Sequence, residues 1–134
     1  LSPGNDNLVI LEMKKSSSGV MIGGWVPNQL SNTGFIPLNF DVSQTLESSG
    51  RIEVLILFQK GRHAVETRSA ALMENGREVS RDVHNGWTGA DHWNNVYNLR
   101  LPEYRPGAKY EIVVELRCDG GVDSTGGVYM TLNP

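Results

Sequence analysis

The stretch KYEIVVELRC, from Lys109 to Cys118, alternates strictly. Tyr110, Ile112, Val114, Leu116 and Cys118 fall on one side, and Glu111, Val113, Glu115 and Arg117 fall on the other. Helical spacing would scatter the apolar set around a circumference. A strand, with its period of two, gathers it on one face, so the stretch predicts a β-strand laid against a core. RIEVLILFQ (51–59) carries the same signal more strongly. Ile52, Val54, Ile56 and Phe58 share a face, while Leu55 and Leu57 make the other face partly apolar. That pattern predicts a central strand covered on both sides over at least part of its length.

Similar short runs recur between turn signals. NLVILEM (7–13) is one. VMIGGWV (20–26) has paired glycines that predict a bulge or a close backbone approach. In FIPLNFDV (35–42), Pro37 places the strand at a sheet edge or a strand start. AVETRSAALMEN (64–75) has helix-forming composition, but Asn75-Gly76 is a strong hairpin turn and REVSRDV behind it alternates, so the pair reads as a β-hairpin. NVYNLRL (95–101) and VYMTL (128–132) complete the set. About nine strands without a long helix predict an all-β fold: a two-sheet antiparallel β-sandwich, most simply a jelly roll.

The chain has 134 residues, which suits a single domain over 1–134 with its own core. Its start at Leu1 fits a processed protein or a domain excised from a larger one. Twelve basic and fifteen acidic residues give a net charge of −3, and no basic run exists to track phosphates, so nucleic acid is not an expected partner. The chain lacks an apolar run of about 18 residues, so no membrane-spanning helix is expected. The single cysteine, Cys118, shares the apolar face of its strand and reads as a buried structural thiol.

Few residues carry a recognisable chemistry. The serines cluster in polar turns such as SSSG (16–19), and no Gly-x-Ser-x-Gly is present. Glycoside hydrolysis needs two carboxyl groups facing across a cleft, but the acids occupy alternating strand positions or turns, and Glu111 and Glu115 read as solvated strand faces. His84 and His92, with Asp82 and Asp91 nearby, lack metal-ligand spacing. DGGVDSTGG (119–127) offers Asp119 and Asp123 as hard oxygen ligands for a structural calcium, although turn-forming aspartates account for it equally. The tryptophans say more. Two of three, Trp87 and Trp93, lie in one polar stretch that reads as a loop, beside Asp91, His92, Asn94 and Asn95. An indole left in water needs cover from a core or a ligand. A sugar ring offers an apolar C–H face for stacking, and its hydroxyls need amides, carboxylates and imidazoles. Those six residues are therefore the expected ligand-binding set, with a glycan as the partner. Trp25, between Ile22 and Val26, reads as core.

ENGREVSRDVHNGWTG (74–89), NNVYNLRLPEYRPGAKY (94–110) and DGGVDSTG (119–126) carry a resemblance over roughly the C-terminal half. They are similar to the galactose-binding-like β-sandwich modules appended to bacterial (Bacteroidetes-type) glycoside hydrolases such as β-hexosaminidases. The resemblance implies an accessory domain that is not itself an enzyme. Such a domain binds sugar or packs on the catalytic domain of its parent enzyme, often holds a structural calcium, and is secreted, periplasmic or at the cell surface. It carries over no catalytic residue. It also implies that Asp82 and His84 belong to a shared structural turn.

Overall fold

The computed structural model describes residues 19–134. The expected strand at 7–13 lies outside the described residues. Nine strands follow in chain order: β1 Val20–Trp25, β2 Ile36–Asp41, β3 Gly50–Lys60, β4 Val65–Glu74, β5 Arg77–Thr88, β6 His92–Trp93, β7 Val96–Leu101, β8 Tyr110–Cys118 and β9 Thr125–Asn133. They form an antiparallel four-stranded sheet of order β1-β9-β3-β7 and an antiparallel five-stranded sheet of order β2-β8-β4-β5-β6. Setting aside the two-residue β6 leaves eight strands, four in each sheet, in jelly-roll order, with the β4–β5 hairpin the one pair of successive strands in the same sheet. Among the described residues no helix is long and apolar enough to cross a membrane.

The strand alternation seen in the sequence is the alternation of burial. Tyr110, Ile112, Val114, Leu116 and Cys118 are all buried, and they meet Ile52, Val54, Ile56, Leu99, Leu101 and Val128 across the sandwich core. Burial also pushes the Cys118 thiol upward in pKa, as expected of a packed and unreactive cysteine. The ambiguous 64–75 segment is a strand. Ala70, Ala71 and Leu72 are buried between β5 and β8, where small side chains fit an interior strand better than their helix propensity predicts. Its turn is the expected one, with Asn75 and Gly76 at φ 50° and 82°, as a two-residue I′ hairpin requires. Pro37 lies on β2, an edge strand. The paired glycines of β1 mark a register shift between Met21 and Gly23.

One expectation needs correction. The 85–95 segment is not one polar loop. β5 continues through Trp87 to Thr88, and His92–Trp93 folds back as β6 beside it. β5 is therefore longer than in the sequence reading, and β6 is a strand that reading did not contain. The cause is the bulged β5 ladder, whose register shifts relative to β4 hide the period-two pattern.

Candidate functional site

The register of the five-stranded sheet lines up side chains from positions far apart in sequence. Trp87 pairs with Trp93 across β5 and β6, Glu66 pairs with Trp87 across β4 and β5, and Glu66 also pairs with Arg117 across β4 and β8. Ile36 pairs with Leu116, which sets Phe35 beside Arg117 just before β2 begins. Strand alternation sends Val65 and Thr67 inward and Glu66 outward, and Leu116 and Cys118 inward and Arg117 outward. The outcome is one row across the outer face of the sheet: Phe35, Arg117, Glu66, Trp87, Trp93. Trp87 is half-buried, whereas Trp93 is 48% exposed. The two indole planes lie within 3° of parallel with centroids 6.5 Å apart, a stacked pair. A cleft of about 400 Å³ opens between the row, Asn85 and Gly86.

The charges of this face neutralise one another. Arg117 Nη2 lies 2.6 Å from Glu66 Oε1. Arg68 Nη2 and Nε lie 2.8 and 3.3 Å from the two oxygens of Glu115, and Ser69 Oγ donates to Glu115 Oε1 at 2.6 Å. The Arg68 and Ser69 hydrogen bonds hold the Glu115 carboxyl below the usual range, and the same Glu115 contact raises the Arg68 guanidinium. Both guanidinium groups also sit over the Phe35 ring, Arg68 at 4.3 Å and Arg117 at 5.0 Å from its centroid. The bulge between Thr67 and Ser69 inserts Arg68 as an extra residue and re-aims it toward that ring. Glu115 is thus a tethered member of a charge network, not the solvated acid read from the sequence.

The expected ligand set divides. Trp87 and Trp93 come together on the outer face. His92 pairs with Thr88, one position along from the indole pair, so alternation turns it away from them. Its Nδ1 lies 2.9 Å from Thr88 Oγ1, which also accepts the Phe58 N–H at 2.8 Å, leaving Nε2 as the free ring atom. Asp91 is exposed beside a second cleft of about 320 Å³ on the far side of Trp87, near His63 and Asp119. Asn94 is exposed in the left-handed region at φ 49°, and its carbonyl sits where a Cβ on Gly86 would be only 2.2 Å away. Asn95 is corrected outright. Its amide is buried and donates to Ile56 O at 2.7 Å, which commits it to the sandwich rather than to a ligand.

Several of the histidines and acids weighed as metal ligands have protein partners. His84 stacks on Tyr97 with centroids 4.0 Å apart, and Asp82 accepts the Asn98 backbone N–H at 2.8 Å. Asp123 spends both carboxylate oxygens on protein groups, one on the Arg62 N–H and one on His63 Nδ1, each at 2.9 Å. The His63 hydrogen bond, followed by that from Arg62, lowers its pKa. Asp119 is exposed and donates its backbone N–H to Ala64 O at 2.9 Å. Among the described residues no three His, Cys, Asp or Glu side chains cluster as a metal site.

Sequence reasoning missed Phe35, Glu66, Arg68 and Arg117. Each stands outward on or beside a strand, and the outward pair Glu115 and Arg117 on β8 is visible as alternation. Nothing local indicates that Glu66 and Phe35 lie beside them, because register across four strands sets that. No protein-family model matches the chain, and no curated protein sequence matches it.

Proposed function

We propose that this domain is a non-catalytic carbohydrate-binding module of the galactose-binding-like type, appended to a secreted, periplasmic or surface glycoside hydrolase. One observation carries the reading: Trp93 leaves nearly half its surface bare at 48%, in line with a second indole and the Glu66–Arg117 pair. A pyranose ring stacked on the indole covers apolar carbon that folding leaves wet. The adjacent carboxylate and guanidinium accept from and donate to ring hydroxyls. Affinity at one such site is weak, roughly micromolar to millimolar, because sugar hydroxyls exchange water for few protein partners. The test is tryptophan fluorescence against a saccharide panel, with Trp93→Ala as control. A saturable shift that vanishes in the variant is expected. A shift that survives in the variant moves the site elsewhere.

A second reading, docking on the parent catalytic domain, has its own observation. The outer face of the four-stranded sheet carries an apolar groove of about 360 Å³ lined by Leu55, Leu57, Val96 and Tyr129. Under this reading Leu57→Glu weakens association with the parent catalytic domain in a pull-down and leaves sugar binding intact.

A further inference from the structure

The row on the five-stranded sheet has a length and a charge state that narrow what it can hold. Arg117, Glu66, Trp87 and Trp93 follow one another in direct register across four strands, and Phe35 stands beside Arg117 just before the fifth strand begins. Four interstrand steps span about 19 Å. One step, about 4.8 Å, is close to the length that one pyranose residue adds to an extended chain. A terminal monosaccharide would need only one end of such a row, whereas an exposed indole stands at one end and two guanidinium groups seated over Phe35 at the other, with hydrogen-bonding groups between.

The charge state argues against an acidic ligand. Arg117 is tied to Glu66 at 2.6 Å and Arg68 to Glu115 at 2.8 Å, so each cation already has its anion. A uronate or sulfate would have to compete with a bound carboxylate for either guanidinium. Neutral hydroxyls can bond to the outer lone pairs and N–H groups of these pairs without breaking them. Shape adds a third limit. Strands in a sheet turn by about 20–25° per step, so the row winds by roughly 80–100° over its four steps. A single soluble chain can follow that winding, but the face of a crystalline polysaccharide cannot. An axial linkage would bend the chain out of line within a few units.

We infer that the row is the binding track for a neutral, equatorially linked oligosaccharide lying across the strands, about four units long, with Trp93 and Phe35 at its two ends. The inference rests on the carbohydrate-binding reading and adds the length, direction and charge of the ligand. Its experiment is isothermal titration of the whole chain with β-1,4-linked oligomers of glucose, N-acetylglucosamine, xylose and mannose, graded from one to six units. α-1,4-linked glucose oligomers, oligogalacturonate and microcrystalline cellulose serve as contrasts.

The expected result is a Kd that falls at least about tenfold from the disaccharide to the tetrasaccharide and then levels off. Phe35→Ala should return the tetrasaccharide to the disaccharide's affinity. Phe35→Leu keeps an apolar packing group under the two arginines while removing the ring that seats their guanidinium groups at the end of the row, and should give the same loss in a chain with unchanged melting temperature. Monosaccharide affinity equal to that of the hexasaccharide overturns the track and leaves the carbohydrate reading standing. Tighter binding of oligogalacturonate or of crystalline cellulose does the same. Silence from every saccharide overturns both.

Discussion

Trp25 and Trp93 are the same side chain in two settings. Trp25 is 1% exposed and donates its indole N–H to the buried Ser124 hydroxyl at 3.0 Å. Its ring lies so close to Gly126 that a Cβ there would stand 2.2 Å from it. Every part of that indole has a partner within the fold. Trp93 sits on the outer edge strand of the other sheet, 48% exposed, with Trp87 as its parallel neighbour. The first indole stabilises the sandwich. The second gains little from folding, and its apolar face is available to a ligand. Residue type alone does not separate the two roles. The neighbours do: a glycine and a buried hydroxyl for one, a charge pair and a second indole for the other.

The largest expected effect lies on the buried side of that contrast. Trp25→Ala should cost about 3–5 kcal/mol, the range for deleting a large aromatic from a packed core. Urea unfolding would show it as a lower midpoint with an unchanged slope. A loss under about 1 kcal/mol would mean that the core closes over the gap and the contrast between the indoles is weaker than the burial suggests.

An intermediate effect belongs to the floor beneath the outer row. Tyr97 lies under His84, donates its hydroxyl to His84 O at 2.8 Å and sits 2.7 Å from Thr67 Oγ1. Its one proton goes to the carbonyl, so the Thr67 hydroxyl donates to the phenol oxygen. Burial pushes the Tyr97 pKa up to about 12, against a Thr67 hydrogen bond that pulls it down. An unfolded tyrosine ionises near about 10. The folded chain keeps the proton where the unfolded chain loses it, so stability holds below about pH 10 and falls as pH rises toward about 12. The loss is on the order of 2–3 kcal/mol across that window. Melting curves of wild type and Tyr97→Phe between pH 9 and about 11.5 should converge at the alkaline end. Tyr110, also raised by burial, contributes a fall of the same sign in both chains.

The core was legible in the sequence because it is a local property. Period two in 110–118 and 51–59 marks which residues face inward, and Asn75-Gly76 marks the hairpin, without knowledge of what lies opposite. Trp25 could be placed for the same reason. The outer row was only half legible. Trp87 and Trp93 stood out by rarity and proximity, but Glu66, Arg117 and Phe35 join them through pairings that no single strand encodes. Asn95 misled for a related reason. An amide beside an exposed tryptophan reads as a ligand group until strand alternation turns it inward to Ile56 O. His92 is turned away by the same one-residue step.

A smaller effect measures how firmly the row is built. In a double-mutant cycle of Glu66→Gln and Arg117→Met, the coupling should be about 0.5–1 kcal/mol. The pair is short at 2.6 Å, but the side chains keep 26% and 36% of their surface in solvent. Added salt should reduce the coupling. A coupling near zero would show that the two groups are held by the sheet rather than by each other, and would leave both charges free to engage a ligand.

The smallest stability effect is expected at Trp93 itself. Trp93→Ala should leave unfolding within about ±0.5 kcal/mol, as for an outward side chain without a cavity behind it. Fluorescence sharpens the comparison further. Acrylamide should quench a fraction of wild-type emission readily, and Trp93→Ala should remove the Trp93 share of it and leave only quenching of Trp87, while the Trp25 emission stays protected. The variant removes half of the parallel pair, so the Trp87 ring becomes more accessible and its emission should shift red. If the unfolding midpoint falls as far as in Trp25→Ala, the outer indoles are a second core and the sheet face is a structural seam. If the midpoint holds while the Trp93 share of the quenching is lost, Trp93 contributes little to the fold, and its exposed face is open to a ligand.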